Sequence, residues 1–352
     1  MQRPFTLSGR RLEILSSVAR NYIATGEPVG SKTVAGRRRD KLSPASVRNV
    51  MAELEEAGYL THPHTSAGRL PTEKGLRQYV QHLETRRLGP SEADYVEDCL
   101  GQATTLEERL VKSSQVLAAL TQQVGIVVLA PLSKAVLEHV QFVRLADRRV
   151  LVVLVARGDV VRHRIIRLAE ETTAEELDRI AGYVNHHFTG WEMGAARLEI
   201  LRRLAEERAA FDDVLRRLRV LCLEGFLSAG SESQVYLDGT PNLMGGVQTV
   251  EAERVRQLLA ALEEKQRLIE LLDECLRSEM TVLVGDSLAV LIGLEEAIPA
   301  MRDFALIGTT GEVEPGVASR LAVIGPTRMH YERVISAVAH VASVFHELGE
   351  AN

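Results

Sequence analysis

The sequence predicts an α+β multidomain protein that opens on a winged helix-turn-helix and continues as an antiparallel α+β body with a further unit inserted in it. Three observations predict this. Helical periodicity across residues 10–57 is broken twice by turn residues and then gives way to a polar, Gly/Pro-punctuated stretch, THPHTSAGRLPTEKG at 61–75. Farther on, two groups of short apolar strands are separated by a helical block, the pattern of an insertion within one α+β domain. Charge is also divided: residues 1–90 carry 15 Lys+Arg against 8 Asp+Glu and the rest 27 against 40, so a net charge of −6 hides a basic end on an acidic body. Only the basic end suits a polyanion such as duplex DNA.

The first helix is RRLEILSSVARNYIA, where Leu12, Leu15, Val18, Ala19 and Tyr22 recur at three- and four-residue spacing and leave Arg11, Glu13 and Arg20 outside. Gly26, Pro28 and Gly30 break it, and Ser31 is placed to cap a short second helix, KTVAGRR. The third helix begins at Ser43, a cap for the orphan N–H groups, with Pro44 at the one helical position that loses nothing by lacking an N–H; Gly58 is its stop. Val47, Val50, Met51 and Leu54 share one face, whereas Ala45, Asn49 and Ala52 point away with Arg48 on the flank. Small side chains let a helix backbone approach base edges. Asn49 can pair with an adenine and Arg48 with a guanine, or either with a phosphate. A short strand from Gly58 to Leu60, a turn at HPHTSAG and a return through GRLPT then make a ribbon beside that helix, with Arg69 expected near its tip to enter the minor groove or hold a phosphate. The candidate DNA-facing set is Lys32, Thr33, Ser43, Ala45, Ser46, Arg48, Asn49, His64, Ser66, Gly68 and Arg69.

LETRRLGPSEADY, at 83–95, reads as a linker, and a helical stretch follows to about Gln123. VGIVVLAPL and the segment from Val136 to Leu168 predict an antiparallel meander turned at ADRR and ARGD, its central VLVVLV covered on both sides. Thr173 and Glu176 form a capping box, and helices continue beyond it. A long helix is expected from about Val250 to Arg277, then the strands TVLVG, LAVLIG, DFALIGTT and RLAVIG, and a last helix with its stripe on Val334, Val338, Val341 and Phe345.

Chemistry-bearing patterns are sparse. Cys99, Cys222 and Cys275 form no CxxC pair and read as small apolar side chains. His62 and His64 lack a nearby carboxylate or cysteine partner at ligand spacing, and His186 and His187 diverge on a helix, so no metal is expected. GDSL at 285–288 matches a hydrolase nucleophile block but joins two strands and has no partnering DxxH pair, and GTTGEVEPG lacks a P-loop lysine. The expectation is a non-enzyme without a cofactor. With no long apolar run and no leader-like start, it is expected in the cytoplasm and not in a membrane.

GSKTVA at 30–35, SPASVRNVMAELEEAGYL at 43–60 and HTSAGRLPTEKGLRQYV at 64–80 together resemble the N-terminal domain of the heat-inducible transcription repressor family HrcA; YLDGTPNLM at 236–244 and LAVIGPTRMHYERVISAV at 321–338 are similar to its later landmarks. The leading MQRPFTLSGR and LAVLIGLEEAI depart from the family pattern. The resemblance implies a winged-helix domain over residues 1–88, a GAF-like domain in two parts, 89–180 and 249–352, and an inserted dimerisation domain over 181–248. It further implies a homodimer on an inverted-repeat operator, the CIRCE element, repressing chaperone operons with the chaperonin GroEL as modulator. A GAF-like body also raises a rival, a small-molecule sensor, although no cluster of convergent polar residues defines its ligand.

Overall fold

The computed structural model describes residues 7, 9–36, 42–63, 68–83, 87–130, 135–157, 160–168, 171–206, 233–242, 260, 262, 264–277, 280–285, 287–295, 301–314 and 317–350. Helices α1 (Gly9–Thr25), α2 (Ser31–Gly36) and α3 (Pro44–Glu56) are followed by a ribbon of β1 (Leu60–Thr61) and β2 (Leu70–Pro71), then α4 (Glu73–Gln81). Ile14, Leu15, Val18, Val34, Val47, Met51, Leu54 and Leu60 close a small core of their own. Ser31, expected as a cap, is the first residue of its helix.

The apolar stripe of α1 is wider than its spacing predicts. Ile14, Leu15 and Val18 face the small core, while Ala19 and Ile23 join the main core of the body together with Leu76, Tyr79 and Val80 of α4. A helix pressed between two neighbours must be apolar on two sides. Polar contacts complete this joint: Arg77 donates to the Ile292 carbonyl at 2.8 Å, and the Glu332 carboxylate lies 3.2 Å from Arg20 and accepts from Tyr79 at 3.3 Å. Burial pushes the Tyr79 phenol up to about 12. Glu73, 3.6 Å from Arg302, has its carboxyl held above the usual range by burial and by nearby Glu295.

The body opens with α5 (Pro90–Gly101) and α6 (Leu106–Thr121). Pro90 at the start of α5 continues as helix through SEADY, so the expected linker is narrower than 83–95. One antiparallel sheet takes β3 (Val124–Leu129), β7 (Gln234–Asp238), β8 (Val282–Val284), β9 (Leu288–Ile292), β10 (Phe304–Glu314) and β11 (Val317–Pro326) in the order β7-β3-β11-β10-β9-β8. Helix α6 and α10 (Tyr331–Glu350) cover one face through Leu117, Val338, Val341 and Phe345; α9 (Lys265–Arg277) covers the other through Leu268, Leu271 and Leu272. Alternate residues of β3 therefore enter opposite cores, Val127 and Leu129 one way, Ile126 and Val128 the other. This double cover is why β3 reads as an unbroken apolar run.

The long helix expected from about Val250 to Arg277 lies partly outside the described residues and is not continuous: Ala260 and Leu262 are helical, Glu264 is not, and α9 starts anew at Lys265. The meander is divided: β4 (Leu137–Arg144), β5 (Arg149–Ala156) and β6 (Val160–Arg167) form a separate three-stranded sheet, joined by α7 (Ala174–Phe188) and α8 (Met193–Glu206). Asn185 of α7 both donates to and accepts from the Val140 backbone, at 2.9 and 2.8 Å. β3 and β7 are neighbours in the large sheet, although β4–β6, α7 and α8 lie between them in the chain. VLVVLV is not covered twice. Val150, Val152 and Leu154 are buried, whereas Leu151, Val153 and Val155 are half-buried, since a three-stranded sheet with helices on one side hides one face. Thr173 and Glu176 form the predicted capping box.

Candidate nucleic-acid interface

Helix α3 is built as its sequence prescribes. The Ser43 hydroxyl accepts from the Ser46 N–H at 3.1 Å, and Pro44 occupies the first turn. At the other end Gly58 adopts φ +77°, with its N–H on the Glu55 carbonyl at 2.9 Å and that of Tyr59 on Leu54 at 2.8 Å, a paired closure that satisfies the last carbonyls. Ser43→Ala is expected to destabilise the small N-terminal core by about 1 kcal/mol, within the usual range for a lost cap. Chemical denaturation monitored by helical signal checks this; an unchanged midpoint would mean water replaces the hydroxyl.

Burial divides the helix. Val47, Met51 and Leu54 are buried, and Ser43, Ala45, Ser46, Arg48 and Asn49 are exposed along the opposite side. Lys32 and Thr33 on α2 are exposed as well. Among the described residues neither Arg48 nor Lys32 forms an ion pair, so both cations face solvent uncommitted. The Arg11 guanidinium, 2.8 Å from Glu53, fixes the back of α3 to α1.

The ribbon pairs Leu60 with Pro71 and Thr61 with Leu70. His64 and Ser66 lie outside the described residues. Arg69, with Gly68 before it, lies on the turn side of the ribbon, immediately before β2. Its N–H and C=O both bond the Val29 backbone at 2.9 Å, tying the returning strand to the approach of α2. Gly68 is required by that closeness: an added Cβ would lie 2.5 Å from the Val29 carbonyl carbon. The Arg69 Nε lies 2.6 Å from Oε2 of Glu55, as an ion pair whose N–H is not aligned for a hydrogen bond. The other oxygen of Glu55 contacts His62 Nδ1. Sequence reasoning passed over Glu55, and also Gly75, where an added Cβ would lie 2.1 Å from the Tyr59 carbonyl oxygen. A carboxylate one helical turn before Gly58, followed by a ribbon with a single arginine, was the available signal.

The GDSL match falls on the turn between β8 and β9, with Gly285 at φ +64° and Ser287 exposed. That turn lies at the far edge of the sheet from β7.

A family model described as HrcA protein C terminal domain matches residues 107–335. The chain belongs to the HrcA family. That match begins within α6, and full-length HrcA relatives extend it over α1–α4: a protein of Geobacter sulfurreducens named heat-inducible transcription repressor HrcA is 36% identical over 346 residues, 98% of each chain. A protein of the same name from Syntrophobacter fumaroxidans is 32% identical, again over 98% of each chain. A crystal structure described as a hypothetical protein at 2.2 Å resolution shares the fold of this HrcA-family chain, with a TM-score of 0.60 at 21% identity, over 98% of this chain and 99% of the other. No helix among the described residues is long and apolar enough to cross a membrane.

Proposed function

We propose that this chain is a DNA-binding transcriptional repressor of heat-shock operons, with α1–α3 and the β1–β2 ribbon acting as a winged helix-turn-helix. The observation that carries the reading is the uncovered side of α3, where Arg48 and Asn49 stand among Ser43, Ala45 and Ser46 with no protein group over them. Such a side matches a major groove, with Lys32 and Thr33 of α2 placed for the phosphates beside it. Arginine and lysine outnumber acids in the first 90 residues, which favours the same partner.

The names of its relatives favour heat-responsive repression of transcription, and the family resemblance supplies the finer reading: chaperone operons as the targets, and a homodimer on an inverted-repeat operator of the CIRCE kind, its activity modulated by the chaperonin GroEL. Twofold symmetry in the protein would mirror that of the operator. In this reading the six-stranded sheet with its helices is the GAF-like domain, and the stretch from β4 through α8 belongs to the inserted dimerisation domain. Footprinting on the organism's own chaperone promoters, with and without added chaperonin, tests it. Protection of an inverted repeat is expected, stronger with chaperonin; promoters that stay unprotected in both conditions would refute it.

A further inference from the structure

Glu55 places one carboxylate between the two strands of the ribbon. Oε1 meets His62, which follows β1, and Oε2 lies 2.6 Å from Arg69, which precedes β2. The Glu55 and Arg69 side chains are only 22% and 24% exposed, so this charge pair is withdrawn from solvent compared with Arg48. Arg69 is simultaneously bonded through its backbone to Val29 at the approach of α2. A single arginine thus connects the ribbon by main chain to the segment that enters α2 and by side chain to α3. An arginine meant to hold a phosphate gains most when its charge is uncommitted before binding, because each such contact releases counterions only if the cation is free to replace them. Arg69 is already neutralised within the protein. Conversely, a bare Glu55 beside a duplex would repel it, and Arg69 screens that charge.

We propose that Arg69 is a positioning residue for DNA binding and not a phosphate contact: Glu55 clamps it, and the pair sets the angle between the ribbon and α3. This rests on the reading of α3 and the ribbon as a DNA interface. The test uses the full chain, a duplex carrying the inverted repeat protected in its chaperone promoter, and a scrambled duplex of equal length, with affinities measured across a salt series. Arg69→Ala and Glu55→Ala should each reduce the operator-to-scrambled ratio about two- to fivefold, the factor expected for a partly exposed ion pair. The double variant should be no worse than either single one, and all three should keep the unmodified dependence of log affinity on log salt. Melting temperatures within a degree or so of the unmodified chain separate a changed angle from lost folding; Arg69→Gln and Glu55→Gln serve if an alanine variant melts early. Lys32→Ala, at an exposed position on α2, is the internal control, and should lower the salt dependence by about one phosphate's worth. The proposal is overturned if Arg69→Ala lowers that dependence by about one in both the unmodified and the Glu55→Ala backgrounds, or if Glu55→Ala tightens binding to both duplexes by releasing the arginine. Failure of the unmodified chain to distinguish the two duplexes would instead overturn the DNA-binding reading, and this inference with it.

Discussion

Asn49→Ala is expected to cost about 1–3 kcal/mol of preference for the operator over unrelated duplex, the range for losing one bidentate contact to a base edge. The side chain stands exposed on α3, one residue from exposed Arg48 and two from buried Val47 and Met51, so its removal leaves the core intact and the loss should be confined to recognition. Competition binding with operator and scrambled duplexes separates the terms. A fall in operator affinity with scrambled affinity unchanged identifies a base reader. Equal losses on both duplexes would make Asn49 a phosphate contact, and no loss would take it off the reading side.

Gly75→Ala should destabilise the N-terminal helices by about 1–3 kcal/mol, even though alanine is the better helix former. The added Cβ would fall 2.1 Å from the Tyr59 carbonyl oxygen. That oxygen has no freedom to yield, because it accepts from the Thr72 N–H at 3.1 Å, while the Thr72 hydroxyl donates to Gly58 at 2.7 Å and Lys74 donates to Ala57 at 2.9 Å. Helix α4 is in effect clasped to the end of α3, and one methyl group must part them. The gain in helix propensity, about 1 kcal/mol, offsets only part of this. A lowered melting transition together with weakened operator binding is the expected result. A raised melting temperature would show that propensity prevails and that the contact relaxes without cost.

Much of the N-terminal architecture was legible because local signals agree there. Ser43-Pro44 and Gly58 delimit α3, and one apolar face between them leaves a single way to pack it. The ribbon was legible from its glycine and proline, but not the bridge from Arg69 to Val29, which joins residues forty apart and which nothing local announces. Separation of the two sheets escaped the sequence for a related reason. β3 and β4 follow closely in the chain and both read as strands, and only pairing of β3 with β11 and β7 reveals that they belong to different sheets. In YLDGTPN, the reason for the pattern appears only in three dimensions: Asn242 donates to the Gln123 carbonyl at 3.1 Å, and Gly239 at φ +82° approaches that same oxygen.

The sharing of Ala19, Ile23, Leu76, Tyr79 and Val80 with the core of the body leaves α3 no swivel. If two copies assemble about a dyad, their α3 helices become the jaws of a caliper whose opening is fixed by the bodies and not by a tether. One base pair added between operator half-sites, which shifts the second half by about 3.4 Å and about 36° around the duplex, would then meet jaws unable to follow.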